Sequence, residues 1–580
     1  MYYKLILFAT YIIGISGNKP IVDTTNGKIS GKVLKTLIKN VEYNGFMSIP
    51  YAAPPLKDLR FMPPQPVEPW TDVLSTTKDK PACSQINNNI KKGQPLGYYG
   101  SEDCLYLDVF TPALDDKKRA VIVFILNDNF INSYNKTRDY GPDFFIEEDV
   151  VLVTISHRLA VFGFLSLDEE LLPGNAGLKD IVAGLEWVRD NIARFGGDPE
   201  KVTLMGSKGG AAAVDLLMHS TAKGLFSAAI LQGGSSWSTA YLQEGSRERA
   251  FSLGELLNRT ATNGIKLLKE LQDVPAIDLP VREMHACPKD YFKETQRSIT
   301  AFGPIVEKAG NGLIPEYPEK SKEKLNIPVM LGFNSREGME YSIQYLVEPA
   351  FITFLNKDFP FLLPRRMDLR FDPVEDGFLN AEKELKKYYF KNKINMKSIK
   401  DFITYTGDTL VAYPVDYAAK TYAVTSQKPV YYYFFDYYSD LNDNKNDLMK
   451  LSQIEDGTWG AASADELCYL FKCPGLKDNY IKHHESTSEE SKIQAKLIKL
   501  WTNFAKYREP TPTSDDSLDG VVWPKYTVEN KEYLHIDKEI EVKQDLYGKT
   551  FEFWNDFIER WQREVVDGVV KKPKQVKNEL

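Results

Sequence analysis

The stretch Leu204-Met205-Gly206-Ser207-Lys208-Gly209-Gly210 is a glycine-framed turn between an apolar strand and a helix of small residues. Upstream, Val150 to Ile155 forms an apolar run of strand length, and Val202 to Met205 forms a second. Between them Leu178, Ile181, Leu185, Val188, Ile192 and Phe195 recur at steps of three and four, the period of a helix and not of a strand. Beyond the glycines, Ala211 to Met218 reads as a second helix. Strand, helix, strand, glycine turn and helix in this order predict a βαβ unit, and with it an α/β chain built on a parallel sheet.

A turn of this kind can hold one side chain up at the edge of a sheet. In a nucleophile elbow, G-x-S-x-G, the glycines permit a strained strand-to-helix turn, and the N–H that follows the nucleophile helps to bind an oxyanion. Gly206 and Gly210 stand where those glycines belong, and Lys208 stands where the serine would be. Ser207 falls one residue early and is predicted to face away. Taken alone, the turn is equally an ordinary strand-to-helix connection.

The surrounding text is more specific. Ser48-Ile49-Pro50-Tyr51-Ala52, Leu59-Arg60-Phe61, Trp70 and Glu102-Asp103-Cys104-Leu105-Tyr106-Leu107 are followed by Phe162-Gly163-Phe164-Leu165-Ser166 and Gly174-Asn175-Ala176-Gly177-Leu178. Asn191-Ile192-Ala193-Arg194-Phe195-Gly196-Gly197-Asp198-Pro199, Gln232-Gly233-Gly234-Ser235 and Phe553-Trp554-Asn555 complete the series. In content and order these blocks resemble the type-B carboxylesterase and cholinesterase family, over almost the whole chain. The resemblance implies an α/β-hydrolase fold, with a large, mostly parallel central sheet and helices on both faces, in one domain over residues 18–570. It also implies a disulfide between Cys83 and Cys104. Whether Cys468 and Cys473 pair is left open, because cysteines five apart often lie on one strand or helix and cannot meet. Pairing them would leave Cys287 odd.

Ester hydrolysis on this fold needs a nucleophile, a base, a carboxylate that orients the base, and donors for the oxyanion. In Gly332-Phe333-Asn334-Ser335-Arg336-Glu337-Gly338, similar to the family's GxNxxEG segment, Glu337 matches the triad acid. In Ala461-Ala462-Ser463-Ala464-Asp465-Glu466, Ser463 takes the place of the histidine, and its hydroxyl is far too weak a base near neutral pH. His483 and His484 downstream sit in a charged stretch that reads as solvated surface. Where the family has a run of glycines before phenylalanine, this chain has Asn127-Asp128-Asn129-Phe130, and Asp128 brings negative charge to a site for an anion. Loss of nucleophile or base costs about 10⁶-fold in turnover, and loss of one oxyanion donor about 10² to 10³. Lys208 is expected to reach across the missing imidazole and pair with Glu337, with Ser463 as a third member.

Composition bounds the rest. The chain has 580 residues, 43% of them hydrophobic, and a formal charge of −8 without long runs of one sign, which argues against nucleic acid as a partner. Met1 to Lys4 followed by an apolar run from Leu5 to Ile15 and small Ser16 and Gly17 read as a signal peptide over residues 1–17. No later segment is apolar enough for a membrane span. Asn135-Lys136-Thr137 and Asn258-Arg259-Thr260 are glycosylation sequons, at Asn135 and Asn258. The tail over 571–580 ends Lys577-Asn578-Glu579-Leu580, similar to a KDEL retrieval signal, so the endoplasmic reticulum lumen is expected and secretion is the alternative. Tyr98 and Tyr99 lie in the first disulfide loop without a tryptophan, so no choline site is expected.

Phe551, Trp554, Phe557, Ile558, Trp561 and Val565 make an apolar helical stripe, which either packs on its own domain or pairs two copies as a homodimer. The expectation for function is a pseudoenzyme that binds a small apolar ligand or a protein partner and needs no cofactor or metal. The alternative is an ester hydrolase with residual or lysine-based activity.

Overall fold

A computed structural model describes residues 19–570, apart from 88–96, 134–139, 244–246, 288–299, 309–311, 322–323, 364–368, 392, 453–459, 514–515 and 567–568. The N-terminal apolar run, the C-terminal tail and Asn135 therefore lie outside the described residues, whereas Asn258 is exposed.

The chain builds an 11-stranded sheet. In chain order its strands are β1 (Lys32–Lys35), β2 (Glu42–Pro50), β3 (Tyr106–Thr111), β4 (Arg119–Asn127), β5 (Val151–Ile155) and β6 (Gly197–Lys208). Then follow β7 (Ala228–Gln232), β8 (Val329–Asn334), β9 (Val430–Phe435), β10 (Glu532–Ile536) and β11 (Ile540–Gln544). Their order in space is β11-β10-β9-β8-β7-β6-β4-β5-β3-β2-β1. Strands β4 to β10 all run parallel, and the antiparallel pairings lie toward the two edges.

The parallel strands are apolar along their whole length because both faces are covered. In β4, Val121, Val123 and Ile125 join one core cluster, while Ile122, Phe124 and Leu126 join another. Successive residues of a strand point to opposite faces, so the two clusters are the two sides of the sheet. Helices Ala176–Asn191 and Gly209–Met218 bury residues in the first cluster, and helix Glu489–Tyr507 in the second. The predicted βαβ unit is present, with β6 longer than the apolar run alone indicated.

Two disulfides hold the chain, Cys83–Cys104 and Cys468–Cys473, and Cys287 is free and exposed. The second pair can meet because the short helix Leu467–Leu470 ends at Phe471, whose backbone is extended, so the chain turns back within five residues. The Tyr480 hydroxyl fixes that turn, donating to the Cys468 carbonyl at 2.7 Å and accepting from the Cys473 N–H at 3.2 Å.

Phe551, Trp554, Phe557, Ile558 and Trp561, on helix Gly548–Gln562, are buried in the chain's own core. Trp554 Nε1 donates to the Tyr389 hydroxyl at 2.8 Å, and the Trp561 ring packs edge-on to Phe371. Of the two readings of the stripe, packing on its own domain is the one these five side chains follow. Among the described residues no helix is long and apolar enough to cross a membrane.

Candidate functional site

Strand β6 lies between β4 and β7, with Lys208 in register with Asn127 and Ser207 with Gln232, so the glycine turn sits at the end of the sheet's middle strands. A Cβ on Gly206 would run into the backbone of Gly210, so strand and helix approach too closely for a side chain there. Lys208 is at φ 54° and ψ −122°, a backbone conformation that non-glycine residues avoid and that elbow nucleophiles adopt. The strained elbow is therefore intact, and lysine occupies its apex. Ser207 is buried, and its hydroxyl has no hydrogen-bond partner among the described residues.

Lys208 does not pair with Glu337. Its ammonium lies 2.6 Å from Glu340 Oε2 and 3.9 Å from Asp128 Oδ1. Glu340 is on the short helix Gly338–Tyr341 that begins directly after Glu337, and the lysine side chain ends on it rather than on Glu337. The Lys208 side chain is only 12% exposed. Burial by itself would lower the lysine pKa, but Asp128 and Glu340 outweigh it and raise the value above that of an ordinary lysine. Burial and the Glu340 carboxylate in turn push Asp128 up to about 7 against the pull of Lys208.

Lys208→Met is expected to lower stability at pH 8 by about 1 to 2 kcal/mol, a modest figure because both carboxylates keep some contact with water. Adding Glu340→Gln is expected to recover part of that loss, and a double-mutant cycle in denaturant measures the coupling. Zero coupling would contradict the ion pair.

Glu337 is 2% exposed. Its Oε1 accepts the Asn334 N–H at 2.8 Å, and its Oε2 has no hydrogen-bond partner among the described residues. Burial pushes its pKa up to about 8, helped by the neighbouring Glu466 carboxyl and opposed by the Asn334 N–H, the Ser463 hydroxyl and Lys208. The shift favours its protonated form near neutral pH. A neutral carboxyl can orient a base but gives no charge to stabilise an imidazolium.

Ser463 is buried beside Glu337, and its backbone carbonyl accepts from Asn444 Nδ2 at 2.7 Å. The structure thus brings Lys208, Glu337 and Ser463 into one neighbourhood, with Lys208 turned to other partners. Sequence reading missed Glu340, and also Glu466, which accepts from Asn334 Nδ2 at 2.5 Å and from Gln232 Nε2 at 3.0 Å. Glu340 lies three residues beyond Glu337 on a four-residue helix that the sequence does not announce.

The loop after β4 closes on itself. The Asp128 N–H donates to the Asn132 carbonyl at 2.7 Å, and the Phe130 N–H donates to Asn127 Oδ1 at 3.0 Å. That Asn127 oxygen abuts Gly209, next to the Asn129 and Phe130 amides, at the junction of loop and elbow. The Asn127 oxygen thus takes up one backbone donor of this loop, the Phe130 N–H, that would otherwise be free. Asn127 Nδ2 lies 3.3 Å from His157 Nε2, and His157 Nδ1 lies 3.0 Å from the Arg158 carbonyl. Burial lowers the His157 pKa, so the ring is neutral. Asn129 Oδ1 accepts from the Tyr341 hydroxyl at 3.1 Å, which ties the loop to the helix of Glu340.

His483 is not on a solvated surface. It is buried, with Nε2 2.7 Å from Asp440 and Nδ1 2.9 Å from the Ser488 hydroxyl, and neither histidine of that pair contacts the elbow. A cavity of about 270 Å³ is lined by Phe333, Glu337, Ile403 and Tyr547, with Arg336 and Asp408 among its polar residues. The lining is more polar than a purely apolar ligand would need. Asp436, His535 and Asp537 bring metal-type ligand atoms together, with His535 Nε2 3.7 Å from Asp436, while the other ring nitrogen, Nδ1, meets Lys543 Nζ at 2.9 Å.

Comparison with known proteins agrees with this architecture. Residues 18–554 match the model of the carboxylesterase family. The chain is 32% identical over 533 residues to esterase FE4 of Myzus persicae, covering 88% of this chain and 87% of that protein. It is 30% identical to juvenile hormone esterase of Tribolium castaneum, covering 88% of each. The crystal structure of juvenile hormone esterase from Manduca sexta, with OTFP covalently attached, superposes with a TM-score of 0.76 at 27% identity, over 93% of this chain and 100% of that one. The chain belongs to the carboxylesterase family.

Proposed function

We propose that this protein is a non-catalytic carboxylesterase-fold protein that acts by binding. The observation that carries the proposal is Lys208 at the strained apex of the elbow, held by Glu340 at 2.6 Å. A lysine kept as an ammonium is not a nucleophile, which speaks against Schiff-base or acyl-transfer chemistry as well as against serine hydrolysis. Three further features support the reading: Ser463 in place of a base, a buried Glu337 whose pKa is pushed up, and the Asn127 oxygen holding a backbone donor of the loop. Each opposes a different step, so the losses compound.

The N-terminal apolar run and the Lys577-Asn578-Glu579-Leu580 tail support residence in the endoplasmic reticulum lumen, with secretion as the alternative destination. The ligand is a small molecule in the gorge region or a protein partner. A fluorophosphonate probe is expected to leave the purified protein unlabelled, and mass spectrometry of the protein captured in native form is expected to find a bound small molecule or partner in stoichiometric amount. Labelling on any residue at the elbow would refute the proposal.

A further inference from the structure

The stretch from Lys383 to Lys400 holds seven lysines and one acidic residue, Glu384, in a chain whose formal charge is −8. It comprises the end of helix Asp376–Phe390 and the turn that follows. Glu384 is already neutralised by Arg560 at 2.7 Å. Lys383, Lys387, Lys391, Lys393 and Lys397 are exposed and form no ion pair among the described residues. Like charges held this close repel one another, so the cluster lowers its energy when it meets a negative surface.

Beside this cluster lies the helical turn Pro349–Asn356, which leaves Phe354 62% and Phe351 49% exposed, their ring centroids 5.9 Å apart. Met396, within the lysine stretch, is 57% exposed. The two segments are fastened together, since Asn356 Nδ2 donates to the Ile394 carbonyl at 2.8 Å and Lys386 Nζ donates to the Asn356 carbonyl at 3.0 Å. Ile352 and Leu355 on the same turn are buried, so the fold spends two apolar side chains of the turn on its core and presents two large aromatic ones to water.

We infer that this face, with Phe351, Phe354 and Met396 flanked by lysines, docks on an anionic lipid bilayer. Exposed aromatic and thioether side chains enter the boundary between headgroups and acyl chains, while lysines meet the headgroup charge. An acidic protein surface would satisfy the lysines but would not require two protruding phenylalanines. Such docking is independent of whether the elbow catalyses. It would orient the protein on the luminal or outer face of a membrane that no helix of its described residues spans.

The test is sedimentation of the full-length protein with vesicles of phosphatidylcholine alone and of phosphatidylcholine with phosphatidylserine. Binding is expected to the mixed vesicles only, and to weaken as salt is raised. Replacing Lys387, Lys391, Lys393 and Lys397 by glutamine is expected to weaken it on the order of 1000-fold. The Phe351→Ser, Phe354→Ser variant is expected to lose roughly 10-fold, with its salt dependence unchanged. All six positions are exposed, so melting temperatures should match the parent. Absence of binding to mixed vesicles, or binding that neither variant weakens, would overturn the inference. So would equal binding to a soluble polyanion with no loss in the phenylalanine variant.

Discussion

Replacing Glu337 by glutamine is expected to stabilise the protein by roughly 2 to 4 kcal/mol at pH 8.5 and to change little at pH 5. The sign follows from linkage. Burial holds the Glu337 pKa at about 8, above its ordinary value of 4.5, so the native state binds this proton more tightly than the unfolded chain does. Below pH 4.5 both states are protonated and nothing is lost. As the pH rises from there to about 8, the unfolded chain ionises freely while the native state must either hold its proton or bury a charge, and stability falls across that window.

Glutamine keeps an oxygen for the Asn334 N–H and removes the ionisation, so its advantage should grow over the same range. Asp408, Asp465 and Glu283 are raised by burial to about 7, 7 and 8, so the parent protein as a whole should be most stable in mildly acidic solution. Urea unfolding of parent and variant at pH 5 and pH 8.5 measures the effect. A variant less stable than the parent at pH 8.5 would mean that Glu337 is an ionised, paired carboxylate.

The second large effect concerns the loop after β4. Restoring the nucleophile and base together, as Lys208→Ser with Ser463→His, is expected to give ester turnover close to background. The Phe130 N–H remains bound to Asn127 Oδ1 and the Asp128 N–H to the Asn132 carbonyl, so the loop offers few free donors to an oxyanion. Adding Asn127→Gly, Asp128→Gly and Asn129→Gly is expected to raise turnover a further 10² to 10³ times, about the value of one well-placed donor. The measurement is turnover of a generic aryl ester by each variant, with thermal melting as the control for folding. If the two-residue variant were already as active as the five-residue one, the self-occupied loop would have no catalytic consequence.

The parallel sheet and the elbow were legible because their signals are local: an apolar strand, a helical period and glycines at fixed spacing. The place of Lys208 at the apex was legible for the same reason, since a turn this tight exposes one side chain only. The partner of Lys208 was not. A lysine has a long reach, and its choice between Glu337 and Glu340 depends on where the short helix Gly338–Tyr341 starts and on the desolvation around Glu337, neither of which spacing encodes. His483 looked solvated because its neighbours in sequence are charged, whereas one of those neighbours, Glu490, and the distant Asp440 fold over it as partners. The Cys468–Cys473 bridge depended on a helix ending within four residues, a boundary that composition does not mark.

The central claim is that the elbow carries no chemistry. It is tested most directly by measuring aryl-ester hydrolysis by the purified parent protein beside its Lys208→Ala variant, across pH 6 to 9. Both rates are expected to equal that of buffer with an inert protein. Robust turnover by the parent, abolished in Lys208→Ala, would contradict it.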